Sequence, residues 1–179
     1  MAMPIAAPRY TVDDLDRFPD DDQHYELLDG VLLVTPAPSQ WHQAILGLLL
    51  RSLFAAVGDV GRVVSPGRIQ SGKRIRLEPD VLLYPAPVMP DAAWTDVTEW
   101  WLAVEVLSPS TRVYDAEWKR QAYQALGVQS VWLVDPRTGT ISMWEGKAPT
   151  PSIVSDRLRW TCTAAPHIHV DLAVSSVFV

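Results

Sequence analysis

The run Trp101–Leu107, WLAVEVL, constrains the fold more than any other stretch of the chain. Apart from one acid it is wholly apolar, so it reads as a strand buried on both faces, the centre of a sheet covered on either side. The exception is Glu105. A lone carboxylate there is costly unless a cation, several hydrogen bonds or a metal ion offsets its burial.

A short loop, Ser108-Pro109-Ser110-Thr111, leads into a charged helix predicted over 111–126 and closed by Gly127. At about 100° per residue, Trp118, Ala122, Ala125 and Leu126 form the stripe expected to face the sheet. Lys119 falls at the edge of that stripe, with Tyr123 one turn on, and can reach back over the end of the Glu105 strand.

The remaining elements follow from punctuation. Thr11 caps a short helix over Val12–Leu15, and Tyr25–Val34 reads as a hairpin turning at Asp29-Gly30. A helix is expected over 40–57, between Ser39 and Gly58. Arg62–Gln70 and Lys73–Tyr84 look like strands joined at Ser71-Gly72, followed by a Pro- and acid-rich loop over 85–99. Strands at 131–135 and 140–144, weaker ones at 158–163 and 167–172, and a last turn at 173–178 complete the sheet. The order predicts an α/β domain with a central mixed β-sheet flanked by helices, one domain over 1–179.

Composition limits the function classes. Cys162 is the only cysteine, which excludes an internal disulfide and a cysteine-based metal cluster. The longest apolar run, Ala44–Leu50, is far short of the roughly 18–20 residues that span a bilayer. The start, MAMPIAAPRY, lacks the basic segment and long apolar stretch of a secretory signal, so a cytoplasmic protein is expected. The net charge of −6 argues against a polyanionic partner, but residues 13–29 alone contribute −7 and the rest sums to +1. Arg62, Arg68, Lys73, Arg74 and Arg76 form an acid-free basic stretch, either a solvated strand face or a track for a phosphate backbone.

Three acids stand where a strand favours apolar residues: Glu26 in YELLDG, Asp80 in LEPDVLLY, and Glu105. Two readings compete. Asp80 after Pro79 is a turn acid and Glu105 a structural ion pair with Lys119 or an arginine; or the carboxylates converge as a hard-oxygen site for Mg²⁺ or Mn²⁺. With an ammonium group added, the second arrangement suits phosphodiester hydrolysis.

The stretch EVLSPSTRVYDAEWKRQAYQALGVQSVWLVD, with EPDVLLY and YELLDGVLLVTPAPSQWHQ, resembles the Uma-type putative restriction endonucleases of the PD-(D/E)XK nuclease superfamily. The resemblance runs from about Tyr10 to the C-terminus and implies a restriction-endonuclease-like core. It assigns Asp80 to the PD half-motif and Glu105 to the (D/E)XK half. The usual lysine position two residues on is Leu107 here, and the Uma-type pattern supplies Lys119 from the next helix instead. Glu26 matches an additional acid, and the Val106 carbonyl is expected to complete a metal shell with Asp80 and Glu105. The implied protein is a Mg²⁺- or Mn²⁺-dependent, homodimeric endonuclease acting on DNA, with the 62–76 stretch tracking phosphates.

Two alternatives come from other classes: a catalytically inactive nuclease-fold module for binding or regulation, and an acid-pair glycosidase using Asp80 and Glu105. Lys119 argues against the glycosidase. His167 and His169 have no third ligand in sight, and Ser108 and Ser110 lack a nucleophile elbow. Trp100, Trp101, Trp118, Trp132 and Trp144 read as core or interface aromatics before base-stacking platforms. His42 is read as capping or packing the start of its helix before facing the site, and Tyr114 and Tyr123 share the helix of Lys119, with a contact of Tyr123 to the site ranked second to packing.

Overall fold

The structure is a computed structural model that describes residues 9–86 and 91–178. Part of the expected 85–99 loop and most of the N-terminal segment read for a secretory signal lie outside the described residues. The chain runs α1 (Val12–Leu15), β1 (Gln23–Leu28), β2 (Val31–Pro36), α2 (Gln40–Val57), β3 (Gly61–Val64), β4 (Ile69–Ser71), β5 (Ile75–Leu77) and β6 (Val81–Pro85). It continues with β7 (Leu102–Val106), a π-helical turn (Tyr114–Lys119), α3 (Arg120–Leu126), β8 (Ser130–Asp135), β9 (Thr140–Glu145), β10 (Ser152–Val154), β11 (Arg157–Thr161) and β12 (His169–Ala173).

A six-stranded sheet in the order β10-β9-β8-β7-β6-β3 forms the centre. It is mixed: β7 and β8 run parallel, and the other neighbours are antiparallel. Every residue of β7 is buried, as its composition requires. Leu102, Val104 and Val106 pack toward Ile45, Leu49 and Leu53 of α2, while Ala103 packs in the cluster of Tyr123 and Val131 on the other face. By alternation Glu105 points to the α3 side.

Local chemistry explains the hairpin and α2. Asp29 and Gly30 adopt φ of 49° and 81°, the left-handed pair a two-residue β1–β2 turn needs. The Ser39 hydroxyl caps α2 by accepting the His42 N–H, and Gly58 ends it. No helix among the described residues is long and apolar enough to cross a membrane.

Three expectations need correction. The strand expected over 62–70 is two, β3 and β4, divided at Ser65-Pro66-Gly67, where a Cβ on Gly67 would fall inside the Leu82 side chain. The strand expected over 73–84 is also two, divided at Pro79, which cannot donate to a ladder. Its halves enter different sheets, β5 joining β2-β1-β5-β4 and β6 the central sheet. Finally, β11 and β12 do not extend the central sheet but pair with each other, turning Leu158, Trp160, Val170 and Leu172 inward against the α2-side core.

Candidate active site

The break at Pro79 sets Asp80 at the head of β6, where the β6–β7 register, continued one step past Val81–Val104, brings it opposite Glu105. The Val106 N–H donates to Asp80 Oδ2 at 2.7 Å. From the second sheet, Glu26 on β1 accepts the Glu78 N–H at 2.6 Å, so its carboxylate is tied to the chain segment leading into Asp80. Two sheets thus meet at one spot.

The helix after β7 brings the cation. Its first part is a π turn, and this changes which side chains face inward. Residues four apart run ahead of one full turn in an α-helix and fall behind it in the wider π turn. Asp115 to Lys119 crosses the π turn and Lys119 to Tyr123 the following α turn, so the two offsets oppose and all three side chains are buried. The predicted stripe is corrected accordingly. Trp118 is 62% exposed and Ala125 is exposed, while Lys119 lies on the buried face and not at its edge.

Lys119 is only 3% exposed. Its Nζ lies 2.6 Å from Glu105 Oε1, 2.9 Å from Glu26 Oε1 and 3.8 Å from Asp115 Oδ1. The Tyr123 hydroxyl donates to the same Glu105 Oε1 at 2.5 Å. Three carboxylates therefore surround one ammonium group. Burial pushes Lys119 toward neutrality, but Glu105 and Glu26 outweigh it and hold the amine charged, its pKa above the ordinary lysine range. Burial raises the Glu105 pKa despite Lys119, with Asp115, Asp80 and Glu26 adding to the rise. Burial likewise lifts Asp115 to about 6, against the opposing pull of Lys119 and Thr111.

On the α2 side, His42 Nε2 lies 3.1 Å from Asp80 Oδ2. Burial acts to lower the imidazole pKa, but the hydrogen bond and charge of Asp80 outweigh it and leave it raised. Glu26, His42, Asp80, Glu105, Asp115 and Lys119 line a cleft of about 330 Å³ whose rim includes Ser108, Ser110 and Thr111.

All four predicted side chains, Asp80, Glu105, Lys119 and Glu26, border this cleft, as does Val106. Asp115, His42 and Tyr123 join the constellation without having been assigned to it from sequence. The visible signal was the spacing of Asp115, Lys119 and Tyr123, four residues apart. The basic stretch is not a continuous free stripe: Arg68 pairs with Glu78 at 2.8 Å and Arg76 with Asp16 at 2.7 Å, leaving Arg62, Lys73 and Arg74 exposed. Trp100, Trp101, Trp132 and Trp144 are buried in the core. His167 and His169 are exposed and do not line the cleft.

Among the described residues no group of three or more His, Cys, Asp or Glu side chains is arranged to hold a metal ion. The two opposed carboxylates nonetheless have suitable donors. Asp80 uses Oδ2, and Glu105 uses Oε1, for the contacts above; Asp80 Oδ1 and Glu105 Oε2 take no hydrogen bond from the described residues. Two spare hard oxygens in a surplus of negative charge fit a hard divalent cation that keeps much of its water.

Comparison with known proteins bears on this arrangement. The family model Uma2, described as "Putative restriction endonuclease", matches residues 12–165. Among solved structures, a putative nuclease belonging to DUF820 from Anabaena variabilis has the same fold, with a TM-score of 0.78 at 17% identity. That likeness covers 94% of this chain and 97% of the other. No curated protein matches the chain.

Proposed function

The chain belongs to the Uma2 family, and from that membership we propose a metal-dependent endonuclease that hydrolyses DNA phosphodiester bonds in the Asp80–Glu105 cleft. One observation carries the reading: an ammonium group held between Glu105 and Glu26, with Asp80 opposite Glu105 and one oxygen of each of these two acids taking no hydrogen bond from the described residues. Asp80 and Glu105, with the Val106 carbonyl, would hold Mg²⁺ or Mn²⁺. Such an ion, when bound, lowers the pKa of a coordinated water and polarises a phosphoryl oxygen.

The chain's own groups do the rest. Lys119 presents a permanent positive charge where negative charge develops on the phosphoryl group, and it orients the attacking water. Glu26 fixes the lysine and is itself fixed by the Glu78 N–H. Tyr123 restrains Glu105 through Oε1, and Oε2 takes no hydrogen bond from the described residues. Helix and sheet exclude solvent around the lysine, which strengthens its field.

The test is purified protein with Mg²⁺ or Mn²⁺ on supercoiled plasmid and on single-stranded DNA, beside Lys119→Ala and Asp80→Asn. Cleavage by the parent, reduced at least about a hundredfold in each variant, is expected. No cleavage under any condition, or equal cleavage by the variants, overturns the proposal.

A second reading, a nuclease-fold binding or regulatory module without catalysis, is favoured by the cleft's charge. Among the described residues Glu26, Glu78, Asp80, Glu105 and Asp115 line it against Lys119 as the only lysine or arginine. Calorimetry with Mn²⁺ separates the two, because a module of that kind has no need to bind metal at Asp80 and Glu105.

A further inference from the structure

Two of the cleft's carboxylates, Asp80 and Glu105, are restrained from opposite sides of the sheet. Glu105 is held by Tyr123 and Lys119 from the α3 side, and Asp80 meets His42 from α2. We infer that His42 is a positioning residue: by donating from Nε2 to Asp80 Oδ2 it turns Asp80 Oδ1 toward the cleft as a cation ligand. The inference rests on the reading of Asp80 as part of a metal site.

The geometry supports this over a packing or capping role. Capping of α2 is already done by the Ser39 hydroxyl, which accepts the His42 N–H, so the imidazole is not needed for it. The histidine is 9% exposed, and its Nδ1 is buried without a hydrogen-bond partner among the described residues. A ring placed only for stability would be expected to satisfy both nitrogens, since an orphaned buried polar atom is a cost. Here the ring keeps that cost and spends its other nitrogen on Asp80.

A second donor on Asp80 has a clear mechanical effect. The terminal torsion of an aspartate is broad and nearly two-fold, so a single donor leaves the carboxylate free to rock. Val106 N–H approaches Oδ2 from β7 and His42 Nε2 approaches the same oxygen from α2. Two donors from different elements fix the plane and decide which oxygen is left over. Partners of this kind behind metal ligands typically change metal affinity by 10- to 100-fold when removed.

His42→Gln and His42→Met test the assignment, because the two side chains are similar in size and only glutamine can donate to Asp80. Mn²⁺ titration calorimetry on the full chain, with thermal melts of the metal-free proteins, gives the readout. A fall in Mn²⁺ affinity of about 10- to 100-fold is expected for His42→Met, with His42→Gln staying within about threefold of the parent. Equal affinities for the methionine and glutamine variants overturn the inference.

Asp80→Asn separates its failure from that of the site. If Asp80→Asn binds Mn²⁺ as the parent does, or the parent binds none, the metal reading falls and the inference with it. Should His42→Met not fold, the His42 ring nitrogens of the parent decide the matter by NMR. A shift on adding Mg²⁺ that Asp80→Asn abolishes is expected, and unmoved resonances overturn the assignment.

Discussion

Lys119 offsets part of a charge surplus that would otherwise make its surroundings unstable. Glu26, Glu105 and Asp115 are all within 4 Å of its Nζ, and each is buried. Replacing Lys119 by methionine keeps the volume and leaves those acids uncompensated. The expected cost is about 3–5 kcal/mol by urea unfolding at pH 8. The sign of its pH dependence follows from the raised pKa values of Glu105 and Asp115, the latter about 6. The folded state binds more protons than the unfolded chain between the ordinary carboxylate range and those values. Stability therefore falls as pH rises through that window and recovers as pH drops toward 5. A variant equally destabilised at pH 5 and pH 8 would contradict this account. Glu105 was conspicuous in the sequence because WLAVEVL offers an acid no solvent face. Tyr123 was visible only as a neighbour one turn beyond Lys119 and Asp115 was not singled out, because α-helical periodicity sends their line drifting around the helix and only the π turn corrects it.

At the scale of elements, the site depends on where strands stop. Pro79 divides one expected strand between two sheets, and that division lets Glu26 and Asp80 approach the same cleft. Sequence patterning showed the strand but not its division, since periodicity within a strand carries no information about which sheet receives it. The helix is anchored at its other end by a fork: Arg112 Nη1 and Nη2 each lie 2.6 Å from an Asp135 oxygen at the end of β8. The hydrogen bond from Arg112 outweighs partial burial and, with the Arg137 N–H, holds the Asp135 pKa at about 2 against an ordinary 3.8. A depressed carboxylate stabilises the fold fully above its unfolded value and loses that contribution as pH falls through its folded one. The contribution is on the order of 2 kcal/mol, present near pH 6 and gone by about pH 2. Asp135→Asn compared with the parent by urea unfolding at pH 6 and pH 2.5 should show a difference at pH 6 that shrinks to about half or less at pH 2.5.

Across the whole molecule, the charge that looked segregated in the sequence is partly cancelled by folding. Asp16 from the acidic 13–29 segment meets Arg76 of the basic stretch, and Glu78 meets Arg68. The chain thus spends on itself part of the positive charge that seemed free for a phosphate backbone. With an acid-rich cleft, a labelled DNA duplex should bind at least about tenfold more tightly with Ca²⁺ than with EDTA, measured by fluorescence anisotropy. Equal binding in the two conditions would refute that dependence.

The lysine's place on a helix has one more consequence. Had the cation stood at Leu107, it would travel with Glu105 on the same strand, and the pair would survive as long as β7 did. Instead Lys119 and Glu105 meet only while the helix stays docked on the sheet, through Tyr123 at one point and Arg112 at another. Helices can detach well before central strands separate. The useful range of temperature or denaturant for such a site is then set by one interface, and it ends while most of the molecule remains folded.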